Sequence, residues 1–155
     1  MRVLLLLLSF VVPTCVFAQS GTTMQAIQLQ QFGGPEVLQI RKIPRPDPAV
    51  GELLVRVRAA AVNPVDTGIR SGGASGLSGA VPPYVPGFDV SGVVTAIGTG
   101  VSNFDIGDEV FAMLSLRRGG AYVEYTIVKE DEAARKPPGI THAEAASIPL
   151  VALTA

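Results

Sequence analysis

Residues 85–94, VPGFDVSGVV, set an acidic Asp89 directly after an aromatic Phe88 and ahead of a β-branched run. An imidazole at position 88 would put a nitrogen donor beside a carboxylate, a pairing suited to a catalytic metal. A phenyl ring has no such lone pair. The rest of the chain does not make good the loss, because it holds one histidine, His142, and one cysteine, Cys15. A conventional zinc site draws mostly on several Cys and His at fixed spacing, and a disulfide needs two thiols, so composition speaks against the first and excludes the second within the chain. Asp89 is then read as a holder of backbone donors at the start of a tight strand. Gly87 and Gly92 would permit the close backbone approach.

The elements that must carry these residues read mostly as strands. In ELLVRVRAA, Leu53, Val55 and Val57 alternate with Leu54, Arg56 and Arg58, which predicts a strand whose first set faces the core. AYVEYTIV repeats the alternation, with Val123, Tyr125 and Ile127 opposite Tyr122, Glu124 and Thr126. DVSGVVTAI and DEVFAML are shorter β-branched or aromatic runs between turn signals. Prolines in IPRPDP and VPPYVPG read as extended connectors, SGGASGLSG as a flexible loop, and KEDEAARK as a solvated charged connector. One helix is predicted late, where Thr141 and Glu144 have the spacing of a capping box. Four or five strands with this punctuation fit a small barrel or sandwich.

Residues 1–18, MRVLLLLLSFVVPTCVFA, differ in character from the rest of the chain. Arg2 precedes an apolar run from Val3 to Val12, then Pro13, with Val16 and Ala18 placed as a signal peptidase prefers. The expectation is a secretory signal peptide and a secreted or periplasmic product, the alternative being a cytoplasmic protein with a mis-assigned start or an uncleaved anchor. The run is short of the ~20 residues that span a bilayer, so no stable membrane span is expected. The chain's net charge is −1 and its basic residues are scattered, as at Arg56, Arg58, Arg117 and Arg118, so no nucleic-acid surface is expected.

FGGPEVLQI, GELLVRVRAAAVNPVDTGIRSG, VPGFDVSGVVTAIGTGVSNFDIGDEVFA, GGAYVEYTIV and AASIPLVALTA occur in an order and spacing that resembles the N-terminal, GroES-like domain of medium-chain dehydrogenases/reductases. The nearest branch is the zinc-free, quinone oxidoreductase-like group, and the resemblance runs from Met24 to Ala155. It implies a mainly β fold, a partly open β-barrel with a short C-terminal helical segment, over residues 19–140. It implies that 141–155 begin a helical connection to a nucleotide-binding Rossmann domain absent from this sequence. In relatives, such a domain forms one wall of a cleft in which NADP(H) reduces a quinone or an α,β-unsaturated carbonyl (enone). The implied chemistry is the cofactor's, with the protein orienting the partners.

Zinc-dependent relatives carry a Cys where this chain has Asn63, opening NPVD, and a His where it has Phe88, so the resemblance implies no zinc and no catalytic protein nucleophile. By the same resemblance, Asn63 lies at the nicotinamide end of the cleft, its amide able to donate to a substrate or ribose oxygen. The alternative is a turn residue before Pro64. Asp66 either orients that loop or caps the turn TGIRSG, and Thr154 matches a family Thr near the cofactor. Tyr84 either lines the pocket or packs among prolines. Gly68 and Ala74 stand where many relatives have larger side chains, which alters the pocket. His142 is read as a solvated surface residue. Gly98-Thr-Gly100 lacks a third glycine and leads toward a strand, so it is a turn and not a phosphate loop. Three readings follow: a truncated or fragmentary NADPH-dependent reductase inactive without its second domain, an exported domain that binds a small ligand or a partner, and a structural remnant. Homo-oligomerisation is left open.

Overall fold

The computed structural model describes residues 22–155. The leader reading for residues 1–18, Cys15 included, lies outside the described residues. Among the described residues no helix is long and apolar enough to cross a membrane.

The longest strand, β3 (Glu52–Ala61), lies one strand in from the edge of a five-stranded antiparallel sheet. Its neighbours are β4 (Asp89–Ile97) on one side and β6 (Tyr125–Lys129) on the other, and β5 (Glu109–Met113) and β7 (Ala133–Arg135) extend the sheet beyond β4. A second, two-stranded ribbon pairs β1 (Thr23–Leu29) with β2 (Leu38–Pro44). Isolated bridges fasten it to the larger sheet's connections, Ala26 with Val123 and Leu29 with Tyr84. The sheets stay open, as the mainly β, partly open reading requires. Every strand pairing is antiparallel, so the described residues contain no parallel βαβ unit of the Rossmann kind.

Alternation in β3 holds only in part. Leu53 and Val55 are fully buried, but Leu54 is buried as well. The reason is irregular pairing, because the β3–β4 register shifts between Leu54 and Val55 and again between Val57 and Ala59. Such bulges re-aim side chains that strict alternation would send outward. On β6 the buried residues are Thr126 and Val128, so the set containing Tyr125 and Ile127 turns away from the core. Val90, Val94, Val110 and Leu114 complete the principal core with Leu53 and Val55.

Three connections are more ordered than their composition suggests. SGGASGLSG, read as a flexible loop, contains a helical turn, α2 (Ser75–Ser78), with Ser78 buried. KEDEAARK, read as a solvated connector, forms a 3-10 turn and then β7. Its Glu130 accepts from the backbone N–H groups of Ser102 (2.8 Å) and Asn103 (2.6 Å), and Glu132 pairs with Arg118. These acids are held by partners in distant segments, Glu130 by the backbone N–H groups of a turn and Glu132 by a guanidinium.

The late helix, α3 (His142–Ala146), forms as its spacing predicts. Glu144 N–H donates to Thr141 Oγ1 at 3.2 Å, and Thr141 N–H donates back to Glu144 Oε2 at 2.7 Å. His142 is not solvated. Ser91 is fully buried on β4, and its hydroxyl donates to Val110 O at 2.9 Å while lying 2.8 Å from His142 Nδ1. Since the hydroxyl proton is committed to Val110, the imidazole must donate to Ser91 Oγ through Nδ1. His142 Nε2 is 3.3 Å from Glu109 Oε1, and Glu109 also meets Lys136 Nζ at 3.1 Å. Thus the histidine pins α3 across β4 and β5. Replacing His142 by Ala is expected to lower stability by about 1–2 kcal/mol, measured by urea unfolding, where a truly solvated histidine would leave it unchanged.

Candidate active-site wall

The β3–β4 register places Ala61 opposite Asp89. Two residues beyond Ala61, Asn63 is extended (φ −119°, ψ 159°) and serves as the N-cap position of α1 (Pro64–Arg70), with Pro64 at the first helical position. Proline suits that place because its fixed φ is helical and its missing N–H would be unpaired anyway. The sheet therefore delivers Asn63 next to Asp89, though 26 residues separate them in sequence. Asn63 Nδ2 donates to Asp89 Oδ2 at 2.9 Å.

Asp66 sits at the third position of α1, not at its cap. Its Oδ2 accepts from Asn63 N–H at 2.8 Å and its Oδ1 from Gly87 N–H at 3.0 Å. The backbone N–H of Asp66 itself donates to Asn63 O at 3.0 Å. Of the two functions weighed for Asp66, it is loop orientation that the geometry shows: its carboxylate fixes the NPVD loop against Gly87, while TGIRSG begins inside α1 and is not capped by Asp66. Asp89 Oδ1 accepts from Leu150 N–H at 2.9 Å, at the start of α4 (Pro149–Thr154). The donors held by Asp89 come from distant segments, where the sequence suggested neighbouring ones.

Asn63 accordingly bridges two carboxylates, one through its backbone and one through its side chain, and all three residues are buried. Burial pushes Asp66 above the ordinary aspartate range against the pull of its N–H donors. Asp89 is raised in the same way, by burial first and with the nearby Asp66 charge adding to it. Tyr122 covers this pair. Its hydroxyl donates to Ala61 O at 3.3 Å, and burial together with the charge on Asp66 pushes its phenol well above the ordinary value. Gly87 makes this cover fit, since its φ is +95° and an added Cβ would lie 2.6 Å from the Tyr122 ring.

The donor set does not suit zinc. Phe88 is fully buried and packs with Ile69 and Ala80, while all four oxygens of Asp66 and Asp89 already accept N–H groups. Among the described residues no three His, Cys, Asp or Glu gather as metal ligands would. Nor do Gly98, Thr99 and Gly100 form a phosphate cradle. Thr99 and Gly100 make a turn, and an added Cβ on Gly98 would lie 1.6 Å from Ala49 O.

The profile of the alcohol dehydrogenase GroES-like domain matches residues 49–138. The chain belongs to this family. The GroES-like domain is 41% identical over 133 residues to a chloroplastic quinone-oxidoreductase homolog of Spinacia oleracea, covering 85% of this chain and 40% of that protein. It superposes on the solved quinone oxidoreductase of Coxiella burnetii with a TM-score of 0.80 at 34% identity, covering 86% of this chain and 43% of that one. A mycobacterial protein solved in complex with NADPH gives 0.74 at 37% identity, covering 84% and 38%. These similarities set the GroES-like domain in the quinone-oxidoreductase-like branch of the medium-chain dehydrogenases/reductases. The chain spans 40% of its spinach relative.

Of the sequence candidates, Asn63 and Asp66 meet in this domain. Thr154 does not join them. It is exposed near the end of α4, and its hydroxyl donates back to Leu150 O at 2.8 Å. Tyr84 packs with Ile69, Ala80 and Phe88, and its hydroxyl is buried without a partner among the described residues. Sequence reasoning missed Tyr122 as a member of this wall. The signal available was a tyrosine just after the Gly119-Gly120 pair.

Proposed function

We propose that this chain forms the substrate-side wall of a zinc-independent, NADPH-dependent reductase of quinones or conjugated enones. One observation carries the reading: Asn63 and Phe88, which stand where metal-dependent relatives carry Cys and His, are both buried, Asn63 bridging Asp66 and Asp89 and Phe88 packed in an apolar cluster. An alcohol-dehydrogenase reaction relies on a Lewis acid to stabilise charge on the carbonyl oxygen. Conjugate reduction spreads that charge through the acceptor and is less dependent on a metal. The names of the spinach and mycobacterial relatives, a quinone oxidoreductase homolog and an NADPH complex, support the substrate and cofactor classes.

The Gly98–Gly100 turn does not fit the phosphates of a dinucleotide, so the reading assigns them to a second domain and assigns this chain the nicotinamide-facing wall. When bound, the dinucleotide supplies the hydride. The chain's own contribution is positional. Asp89 fixes the Asn63 side chain, Asp66 fixes its backbone, and Phe88 backs the wall with apolar surface that excludes water.

A chimera joining this chain to the nucleotide-binding part of the spinach relative tests the reading. The expected result is NADPH oxidation on addition of a 1,4-quinone, unchanged after exhaustive treatment with a chelator. The chain alone is expected to leave NADPH fluorescence unaltered at millimolar cofactor. A chimera that binds NADPH yet reduces neither quinones nor enones, or that requires added zinc, would sink the proposal.

A further inference from the structure

Alternation in AYVEYTIV groups Tyr125 and Ile127 with Val123 as one apolar set, and the fold turns that set away from the core. There it lines a groove of about 270 Å³ between β6 and the β1–β2 ribbon. Met24, Ile43 and Pro44 form the ribbon side, and Val123, Tyr125 and Ile127 face them. Gly119 and Gly120 add bare backbone to the lining, and their φ values of +59° and +93° disfavour any side chain that would fill the space. With a methylene close in volume to the ~30 Å³ share of a liquid water, the groove has room for an apolar chain of roughly eight carbons.

The rim of the groove is cationic. Arg45 stands between Pro44 and Pro46 and sets its guanidinium 5.1 Å from the centre of the Tyr125 ring. The β3–β6 register puts Arg56 directly opposite Tyr125, and residues directly opposite in an antiparallel pair project from the same face. Among the described residues neither arginine forms an ion pair. Stacking on a ring leaves the N–H groups of Arg45 free to donate at the guanidinium edge. Nearby acids are held by other partners: Glu124 accepts from Gln25 N–H at 2.7 Å, and Glu132 pairs with Arg118. Even with the exposed Asp47 beyond Pro46, the two free guanidinium groups leave the rim net positive.

We propose that this groove binds a single-chain amphipathic carboxylate, a medium-chain fatty acid, its tail against Ile43, Val123 and Ile127 and its carboxylate accepting from Arg45. An apolar trough edged by unpaired guanidinium groups offers a partner to both halves of such a molecule. A hydrocarbon or a small inorganic anion would use only one. The site is separate from the candidate active-site wall, since Tyr122 lies with Asp66 while Val123, next in sequence, lines the groove. It does not depend on the reductase reading.

The test titrates the 155-residue chain with octanoate below its micelle threshold, with octanol and acetate for comparison. In methyl and aromatic NMR spectra, octanoate is expected to shift Ile43, Val123, Ile127 and the Tyr125 ring. It is expected to bind about fivefold more tightly than octanol, the discrimination that one exposed charged contact supports. Acetate should leave the methyl groups unmoved. Arg45→Gln should bring octanoate down to the affinity of octanol while octanol keeps its affinity for the parent, a pattern that a misfolded variant would not give. Absence of shifts in the groove at saturating octanoate overturns the site, and does so without any variant. Equal binding of octanoate and octanol by the parent overturns the carboxylate assignment. Binding to phosphatidylglycerol vesicles without a response to octanoate overturns the proposal in favour of a membrane surface.

Discussion

Asp89→Ala is expected to lower stability by about 2–4 kcal/mol, while Asp89→Asn stays within about 1 kcal/mol of the parent. Alanine removes both acceptors and strands the Asn63 amide and the Leu150 N–H in a buried place. Asparagine keeps the volume. Its oxygen can still accept from Leu150, and the Asn63 amide can reverse so that its own oxygen meets the new NH2 group. The asparagine variant also reports on charge. Because burial raises the Asp89 pKa, the native state holds more protons than the unfolded chain between the two pKa values, and native stability falls as pH rises through that window. That penalty is absent below the ordinary aspartate value of 3.8 and complete above the raised one. Asp89→Asn carries no such proton, so its stability relative to the parent is expected to climb with pH across the window and then level off. The carboxylates of Asp108, Glu109, Glu130 and Glu144 behave oppositely, since hydrogen bonds lower their pKa values and their contribution is lost as pH falls. They are common to both proteins and cancel in the difference. Urea unfolding of the three proteins from pH 3 to pH 8 checks both statements, and equal losses in the two variants would show that Asp89 acts as a charge and not as an acceptor.

Gly98→Ala is expected to be the most damaging single methyl in the fold, at about 3 kcal/mol or more. The Cβ would stand 1.6 Å from Ala49 O and 3.3 Å from Glu52 O, both backbone atoms that no rotamer change can move. The same turn is held by bonds from Gly98 N–H to Glu52 O at 2.8 Å and from Gly51 N–H to Thr99 O at 2.9 Å, so relieving the clash means breaking them. Gly100, two residues on, is the control. It has open space, with only Val50 Cγ1 at 3.7 Å, but a φ of +86°. Gly100→Ala should therefore lose only the strain of a left-handed conformation, about 1–2 kcal/mol. Thermal melts that rank the two in the reverse order would mean that backbone conformation, and not contact, limits this turn.

What the sequence shows and hides here divides by chain separation. The Thr141–Glu144 cap is legible because its partners are three residues apart and need only a helix to meet. The strand character of β3 is legible from Leu53 and Val55, yet the burial of Leu54 is not, because it depends on bulges defined by the partner strand. His142 meets Ser91 across 51 residues and Leu150 meets Asp89 across 61. No local pattern encodes those meetings, and a lone histidine in a helix's first turn looks solvated until β4 and β5 are placed beside it. The family pattern placed Asn63 and Asp66 at one site, while their bonding to Asp89 and Gly87 had to come from three-dimensional packing. Thr154 matched by position alone, and its hydroxyl turns back on its own helix.

The bond from Leu150 N–H to Asp89 joins the last helix to the floor of the site. Amides in the first turn of a short surface helix ordinarily exchange with solvent almost freely, since helix geometry leaves them without internal acceptors. In α4 only Pro149 is buried, so Leu150 should stand out as a slowly exchanging amide on an otherwise fast helix. Its exchange rate then works as an intrinsic clock for how often the site's floor comes apart, readable without a ligand, a cofactor or a label.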